Sequence, residues 1–264
     1  MDPKPTATII REPKVYLVGR QQVNDDALSE FLGDHQVSHW STDTEEAGEK
    51  LVEVAGRLCY MSFARPRPGG NKAYLGHILE VGHGSVLEHA VFNLIITGVS
   101  RSFTHELVRH RAGFGYSQLS QRFVDESKCS FVEPDVIAGD PELHQLWLES
   151  VRASQVSYRA LADRLTEKFK DLDDRTLRRK KAREAARSVL PNATETKIFV
   201  TANARALRHF IEMRGDSAAD VEIRRLAIAV CKLMQQEAPN LFGDYNLIDL
   251  PDGGQAVTTQ FRKV

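Results

Sequence analysis

The chain has little cysteine and almost no net charge. Its three cysteines, Cys59, Cys129 and Cys231, lie far apart and are odd in number. This pattern excludes a disulfide framework and predicts reduced thiols in a cytoplasmic protein. The formal net charge is -1, so no global field attracts nucleic acid or an anionic membrane. Any anion site must therefore come from a local cluster of cations.

Long apolar runs and a signal segment are also missing. No stretch of about 18 apolar residues is present to span a membrane, and residues 1–5 lack the apolar core of a secretory signal. Hydrophobic residues make up 42% of the chain and charged residues 27%, which is typical of a globular protein. We therefore expect a globular, cytoplasmic chain with no membrane partner.

The spacing of apolar residues predicts an α+β fold, a single domain in which long helices pack on a central β-sheet. Strands are predicted near 15–18, 91–99 and 198–201, and helices over 44–61, 100–111, 141–165, 175–189, 203–214 and 219–236. The expected apolar stripes consist of Ala47, Leu51, Val54 and Leu58; of Leu143, Leu146, Trp147, Val151, Leu161 and Leu165; and of Ile223, Leu226, Ala229 or Val230, and Leu233. Asp140, with Pro141 in the first turn, and Asn203 are expected to cap the helices that follow them. The domain is expected over 13–250, between a frayed, flexible N-terminus at 1–12 and a flexible C-terminus at 251–264.

The segment from Arg109 to Arg122 has a composition that no packing rule explains. It combines arginines and a histidine with two glycines and a run of amide and hydroxyl side chains. Arginine offers a planar fork to phosphate oxygens, and glutamine and serine both donate and accept hydrogen bonds. A solvated helix end would by itself explain the charged residues. However, Arg101, His105 and Arg109 are spaced four residues apart, so they should lie on one face of a helix. The pattern indicates a pliant, glycine-bearing loop that holds phosphates and the edge of a polar ring.

Other interpretations of the neighbouring motifs are weaker. His105 and His110 resemble a metalloprotease helix, but a spacing of five turns them about 140° apart, so no metal is expected. The glycines after Arg111 lack the third glycine and the strand-to-helix context of a dinucleotide-binding crossover. In the block 82–89, spacing alone favours Ser85 as a helix N-cap, with Glu88 completing a capping box.

Basic side chains also concentrate in residues 175–187. One interpretation is a nucleic-acid-binding helix, but no aromatic residue is interleaved and the whole chain is not basic, which favours an exposed basic face. Arg187, nearest the helix end, is expected to point into a site. Further on, Arg205 and His209 share a helix face. Arg214 lies on an apolar face, where a buried cation needs an anion or a polar ring.

Together these motifs resemble the flavin-dependent thymidylate synthases, most of all the actinobacterial type. The signature is Arg109-His110-Arg111, followed after a spacer by Ser120 and Arg122. The other blocks that look like this family are 82–89, 100–102, 104–107, 183–196 and 208–214. Because several separate blocks agree in the right order, the resemblance is specific.

The resemblance implies a catalytic domain of that family and a homotetramer whose active sites form where subunits meet, with no nucleic-acid partner. It implies a methyltransferase that acts on C5 of dUMP to give dTMP, with 5,10-methylenetetrahydrofolate as carbon donor and NADPH-reduced FAD as hydride source. Family positions for FAD fall on Ser85, Arg109, His110, Arg111, Gln118, Asn203, Arg205 and His209. Those for the nucleotide fall on Glu106, Leu107, Val108, Arg109, Gln118, Leu119, Ser120, Gln121, Arg122, Arg187 and Arg214.

The resemblance also implies chemical roles. Methylation at C5 of uracil needs electron density at that carbon, and the family logic places Arg214 at the pyrimidine edge, where a cation stabilises charge on N3 and O2. Arg122, Arg187 and Ser120 are implied to grip the nucleotide phosphate, and Ser120 is not the nucleophile. The protein contributes orientation and electrostatics to the flavin chemistry.

Two departures from the family pattern bear on the substrate. The spacer from Ala112 to Leu119 has eight residues where the family has seven, and it contains two glycines. Ala218-Ala219 stands where the family often has a His-Ala pair. A longer, more pliant loop predicts that UMP is accepted as well as dUMP, as in a C5-methylase of a nucleoside-antibiotic pathway.

Overall fold

The computed structural model describes residues 7–65 and 67–264. Its strands are Thr8–Ile10 (β1), Lys14–Arg20 (β2), Val91–Ser100 (β3), Phe114–Gln118 (β4), Ser130–Val132 (β5), Glu195–Asn203 (β6), Asn246–Asp249 (β7) and Gln255–Thr258 (β8). Its α-helices are Asp25–Asp34 (α1), Ala47–Tyr60 (α2), Gly70–Glu80 (α3), Arg101–Leu107 (α4), Asp135–Ala138 (α5), Pro141–Lys168 (α6), Arg175–Ala186 (α7), Ala204–Arg214 (α8), Val221–Glu237 (α9) and Pro239–Phe242 (α10). The α+β class is thereby confirmed. Within the described ranges, no helix is long and apolar enough to cross a membrane.

A four-stranded sheet in the order β2-β3-β6-β4 provides the expected sheet. In β6 the buried residues Ile198, Val200 and Ala202 alternate with less buried neighbours, the period of two that a strand imposes. Strand β1 pairs in parallel with β5, and β7 pairs with β8 in antiparallel register.

The described chain gathers into two compact units, each discontinuous in sequence. The first unit comprises the described residues up to Lys14, then Ile96–Val108 and Ser117–Ile198. The second unit comprises Val15–Ile95, Arg109–Tyr116 and Phe199–Val264. The chain passes from one unit to the other within β2, β3, β4 and β6, and once between α4 and β4. That residues 13–250 act as one catalytic domain stays a prediction.

Helix α6 dominates the first unit. Asp140 caps it by accepting hydrogen bonds from Glu142 N and Leu143 N, and Pro141 occupies its first turn, as the sequence predicts. The predicted apolar stripe is wrong in part, because Leu146 is 67% exposed. The buried face instead consists of Leu148, Val151, Gln155 and Tyr158.

The predicted apolar stripe of α2, in the second unit, is wrong in part, because Ala47, Leu51 and Val54 are only half-buried and polar side chains share the buried face. Leu58 is exposed, whereas Glu49, Glu53 and Arg57 are buried. Burial is possible because the charges are paired and hydrogen-bonded: Arg57 Nε donates to Glu53 Oε1 at 2.7 Å, and Asn240 Nδ2 donates to Glu49 Oε2 at 2.9 Å. Apolar periodicity cannot reveal a helix face of this kind.

The region after β3 differs from the expectation. Helix α4 ends at Leu107 instead of near 111, and the expected pliant loop is β4, where Phe114 and Tyr116 are half-buried and alternate with exposed neighbours. The two rings stack with an interplanar angle of 10°, and the Tyr116 hydroxyl donates to His110 O at 2.7 Å. The alternation Phe-Gly-Tyr-Ser-Gln has the period of a strand, which outweighs its glycines.

The expected flexible ends also contain strands. Residues 1–6 lie outside the described residues, but Thr8–Ile10 forms β1 and Gln255–Thr258 forms β8. Both strands find distant partners in β5 and β7, and a local pattern gives no sign of such pairings.

Candidate active site

The start of α8 is tied to the turn before β4. Asn203 Oδ1 accepts from Ala206 N at 2.8 Å and so caps the helix, as predicted. Asn203 N donates to Gly113 O at 3.1 Å. Gly113 has a φ of 72°, a left-handed conformation that favours glycine. A Cβ there would lie 2.7 Å from Asn203 Nδ2 and 2.8 Å from Ala206 Cβ, so the two backbones approach closely.

A cavity of about 550 Å³ opens beside this turn, within the second unit. Three of the residues predicted to bind FAD line it, Asn203, Arg205 and His209. The full lining comprises Glu88, Ala112, Gly113, Asn203, Arg205, Ala206, His209, Glu212, Met213, Arg262, Lys263 and Val264. The prediction that Arg205 and His209 share a face of α8 is thus confirmed.

The donor set of this cavity fits a flavin dinucleotide. The start of α8 contributes the positive end of a helix dipole, which suits a diphosphate, although its N–H groups at Ala204 and Ala206 already donate to Ala90 O and Asn203 Oδ1. Arg205 adds a guanidinium, and Ala206 and Met213 add apolar surface for a flat ring. The volume lies within the range of small-molecule sites.

His110 and Arg214 form a pair on the same unit. Arg214 Nε donates to His110 Nε2 at 3.0 Å. Burial, together with the nearby Arg214 and His209, lowers the pKa of His110 to about 4. The imidazole is therefore neutral near pH 7 and accepts this hydrogen bond, which fixes the arginine at the end of α8. The ring of His110 also lies edge-on to Phe210, with centroids 5.4 Å apart.

The remaining predicted FAD residues of this unit are exposed. Arg109 lies in a turn beyond the end of α4, so the predicted row of Arg101, His105 and Arg109 on one helix is wrong. Arg111 follows it on the surface.

Ser85 lies in a 3-10 turn, Gly84–His89, which has no side-chain cap. The predicted capping box is therefore wrong. Glu88 instead forms an ion pair with Arg205, with Nη1 and Oε1 2.6 Å apart.

Most predicted nucleotide residues lie in the first unit. Gln118 Nε2 donates to Thr104 Oγ1 at 3.1 Å and to Thr196 Oγ1 at 3.3 Å. Arg122 Nε donates to Glu184 Oε2 at 2.9 Å, in an exposed ion pair. The other members of this group in the unit are Glu106, Leu107, Val108, Leu119, Ser120, Gln121 and Arg187.

Arg101 was not predicted as a site residue, although it lies among that group. Its Nη2 donates to Leu119 O at 2.8 Å, and its Nε is buried without a hydrogen-bond partner within the described part of the chain. Burial lowers its pKa, and the charge of Arg187 contributes to the shift. Two cations therefore lie near each other beside Leu119. The serine-flanked arginine at the start of α4 was the only signal in the sequence.

The predicted site residues thus fall into two groups. The FAD group lies in the second unit, except Gln118, and the nucleotide group lies in the first unit, except Arg109 and Arg214. Among the described residues, no three His, Cys, Asp or Glu side chains are placed to hold a metal ion. The cavity residues Glu212, Arg262 and Lys263 were missed because nothing in their local sequence marks them.

Known proteins resemble this chain in sequence and in fold. The family model described as thymidylate synthase complementing protein matches residues 41–240. A flavin-dependent thymidylate synthase of Mycobacteroides abscessus is 52% identical over 229 residues, 86% of this chain and 90% of that protein. Another, from Mycobacterium avium, is 51% identical over 235 residues, 88% of this chain and 93% of that protein. The crystal structure of the UMP/dUMP methylase PolB from Streptomyces cacaoi, bound with 5-Br dUMP, has a similar fold, with a TM-score of 0.62 and 20% identity, covering 89% of this chain and 95% of that one.

Proposed function

The chain belongs to the thymidylate synthase complementing protein family, and from this membership we propose that it is a flavin-dependent thymidylate synthase, a methyltransferase that converts dUMP to dTMP. The structural observation that supports this most directly is the arginine on α8 held by a neutral histidine, Arg214 and His110. An arginine fixed in this way suits the stabilisation of charge on a pyrimidine ring.

The cofactor of this reaction is FAD, with NADPH and 5,10-methylenetetrahydrofolate as co-substrates. When bound, the flavin is reduced by NADPH and supplies the hydride, while the folate supplies the carbon. We propose that FAD is held by Ser85, Arg109, His110, Arg111, Gln118, Asn203, Arg205 and His209. The cavity beside α8 supports this for Asn203, Arg205 and His209, which line it.

Arg214 activates the pyrimidine in place of a cysteine nucleophile. Electron density at C5 can be raised by adding a thiolate at C6, but burial raises the pKa of Cys129 and of Cys231 to about 12. Neither thiol therefore ionises near neutral pH, and the third cysteine, Cys59, is exposed near the end of α2 and does not line the cavity beside α8. A cation at N3 and O2 instead stabilises the negative charge that spreads over the ring, and His110 keeps that cation in place.

The phosphate of the nucleotide is bound by Arg122, Arg187 and Ser120. Arg122 now pairs with Glu184, but exposed ion pairs contribute little, so a phosphate can replace that partner. The remaining proposed nucleotide contacts are Glu106, Leu107, Val108, Arg109, Gln118, Leu119, Gln121 and Arg214.

We propose dUMP as the substrate over UMP. The case for UMP depended on the extra residue of the spacer and on its two glycines. The glycines lie in β4 and in a turn braced by the hydrogen bond from Asn203 N to Gly113 O, which argues against a pliant loop. Steady-state assays with both nucleotides, NADPH and methylenetetrahydrofolate test this choice. Comparable kcat/KM values for UMP and dUMP would contradict it and would favour a nucleoside-antibiotic pathway.

We also propose a homotetramer with active sites where subunits meet. This proposal is supported by the family membership of the chain. Light scattering after gel filtration should give a mass four times that of the chain. A monomer that turns over dUMP would refute this assembly.

The decisive test of the function measures both the flavin content of the purified protein and its turnover of dUMP. Purified protein should be yellow and should form dTMP from dUMP with NADPH and methylenetetrahydrofolate. Arg214→Ala should lower kcat by roughly 10²–10³-fold and keep its flavin, whereas the control Arg175→Ala, exposed at the start of α7, should match wild type. Colourless protein that shifts RNA or DNA in a salt-dependent way would instead favour a nucleic-acid-binding role for residues 175–187.

A further inference from the structure

The segment Arg262–Val264 forms one wall of the cavity beside α8. Arg262, Lys263 and Val264 line this cavity together with Arg205 and His209. Val264 is buried, and its carbonyl carbon would lie 2.8 Å from a Cβ built on Gly84. The segment therefore packs closely against the turn that carries Ser85.

Hydrogen bonds to the Glu212 carboxylate on α8 fix this wall. Arg262 Nε donates to Glu212 Oε1 at 3.1 Å, and Lys263 N donates to Glu212 Oε2 at 2.9 Å. One carboxylate on the helix thus holds two consecutive residues of the segment. Farther back, Arg208 Nη2 donates to Phe261 O at 3.4 Å.

Lys263 adopts a conformation that favours glycine, with a φ of 61°. A side chain there is strained, and such strain persists where the surroundings over-determine the backbone. The hydrogen bond to Glu212 and the buried Val264 supply that constraint. Backbone strain of this kind concentrates at ligand sites, and this instance lies on the wall of a cavity.

The charged residues that line the cavity favour the binding of an anion by Lys263. Two side-chain carboxylates line the cavity, and each pairs with an arginine: Glu88 with Arg205 at 2.6 Å and Glu212 with Arg262 at 3.1 Å. Both side chains are thus already matched by a guanidinium, and Lys263 adds a further cation to the lining. The N-terminus of α8 borders the same cavity and adds positive potential.

We propose that Lys263 is a further cofactor-binding residue, whose ammonium contacts the diphosphate of FAD, and that Glu212 is the positioning residue that presents it. This inference rests on the proposed function, since it takes the cavity beside α8 as the flavin site. A diphosphate is the anionic part of a flavin dinucleotide, and a lysine binds phosphate as a compact point charge.

Binding titrations of the apoprotein test the proposal without turnover. Flavin fluorescence should show that Lys263→Ala raises the Kd for FAD roughly tenfold at low salt, with a smaller effect at high salt because the contact is ionic. Lys263→Arg should retain most of the affinity, and Glu212→Gln should fall between them. Lys72→Ala, an exposed lysine on α3, is the matched control and should bind as wild type.

Riboflavin separates a diphosphate contact from a general effect on the cavity. It carries the same ring without phosphates, so its Kd should be equal in Lys263→Ala and wild type. An unchanged Kd for FAD in Lys263→Ala, or an equal loss for riboflavin, would overturn the role of Lys263. Wild-type protein that binds no FAD would instead refute the proposed function itself, so the two failures are distinguishable.

Discussion

A methyl group added at Gly113 should disrupt the start of α8. The alanine in Gly113→Ala must either keep a φ of 72°, which costs about 1 kcal/mol for a residue with a Cβ, or reshape the turn. The added Cβ would also lie 2.7 Å from Asn203 Nδ2 and 2.8 Å from Ala206 Cβ. Movement of Asn203 weakens the helix cap, worth about 1 kcal/mol, and overpacking adds about 1 kcal/mol.

These contributions amount to a loss of about 3 kcal/mol of unfolding free energy in Gly113→Ala. For a chain of this size, that lowers Tm by roughly 6–12 °C, measured by thermal unfolding followed with circular dichroism. Because Gly113, Asn203 and Ala206 all line the cavity, the Kd for FAD should rise in the same variant.

Gly115→Ala is the matched control two residues along the same segment. The nearest atom to a Cβ at Gly115 is Thr201 Cβ at 3.8 Å, an ordinary contact, and the backbone there is not left-handed. Its Tm should stay within about 2 °C of wild type. Equal Tm values and equal FAD affinities for the two alanine variants would refute the close approach at Gly113.

Three further perturbations follow from buried or paired charges. Asp244→Ala should lower the unfolding free energy in urea by about 3–5 kcal/mol, because it strands the buried guanidinium of Arg208; a loss below about 1 kcal/mol would contradict this. The free energy of unfolding should fall as pH drops from 6.5 to about 4, because in this range His110 is protonated in the unfolded chain but not in the folded one. In His110→Gln, the plot of unfolding free energy against pH should be flatter over this range than in wild type. Arg122→Ala should raise KM for dUMP roughly tenfold with little change in kcat, because a phosphate contact is made equally in ground and transition states, and its Tm should not change, because the pair with Glu184 is exposed.

Local signals in the sequence predicted the parts of the fold that local chemistry determines. Asp140 and Asn203 cap their helices as expected. Of the stripe expected on α9, Ile223, Leu226 and Val230 are buried, whereas Leu233 is only half-buried. The predicted end of α4 was wrong because the strand that follows it, β4, forms by pairing with β6 in the sheet. Local sequence does not reveal such a pairing.

The candidate site shows the same division. The shared face of Arg205 and His209 follows from helical spacing alone. Lys263 and Glu212, by contrast, are brought together by a fold that crosses 51 residues of chain. No motif or periodicity marks such a contact, and a single sequence could not have predicted it.

The passage of the chain between its two units has a consequence for biosynthesis. The last segment of the first unit ends at Ile198, whereas the second unit needs Phe199–Val264. On the ribosome, the nascent chain can therefore complete the first unit while Val15–Ile95 still awaits its partners. Asn240 follows Ile198 in the sequence, so at about 5–20 residues per second its synthesis comes about 2–8 s after the first unit is complete. The polar pairs of α2 with Asn240 stay unmade during that interval, which is when a chaperone would be most useful.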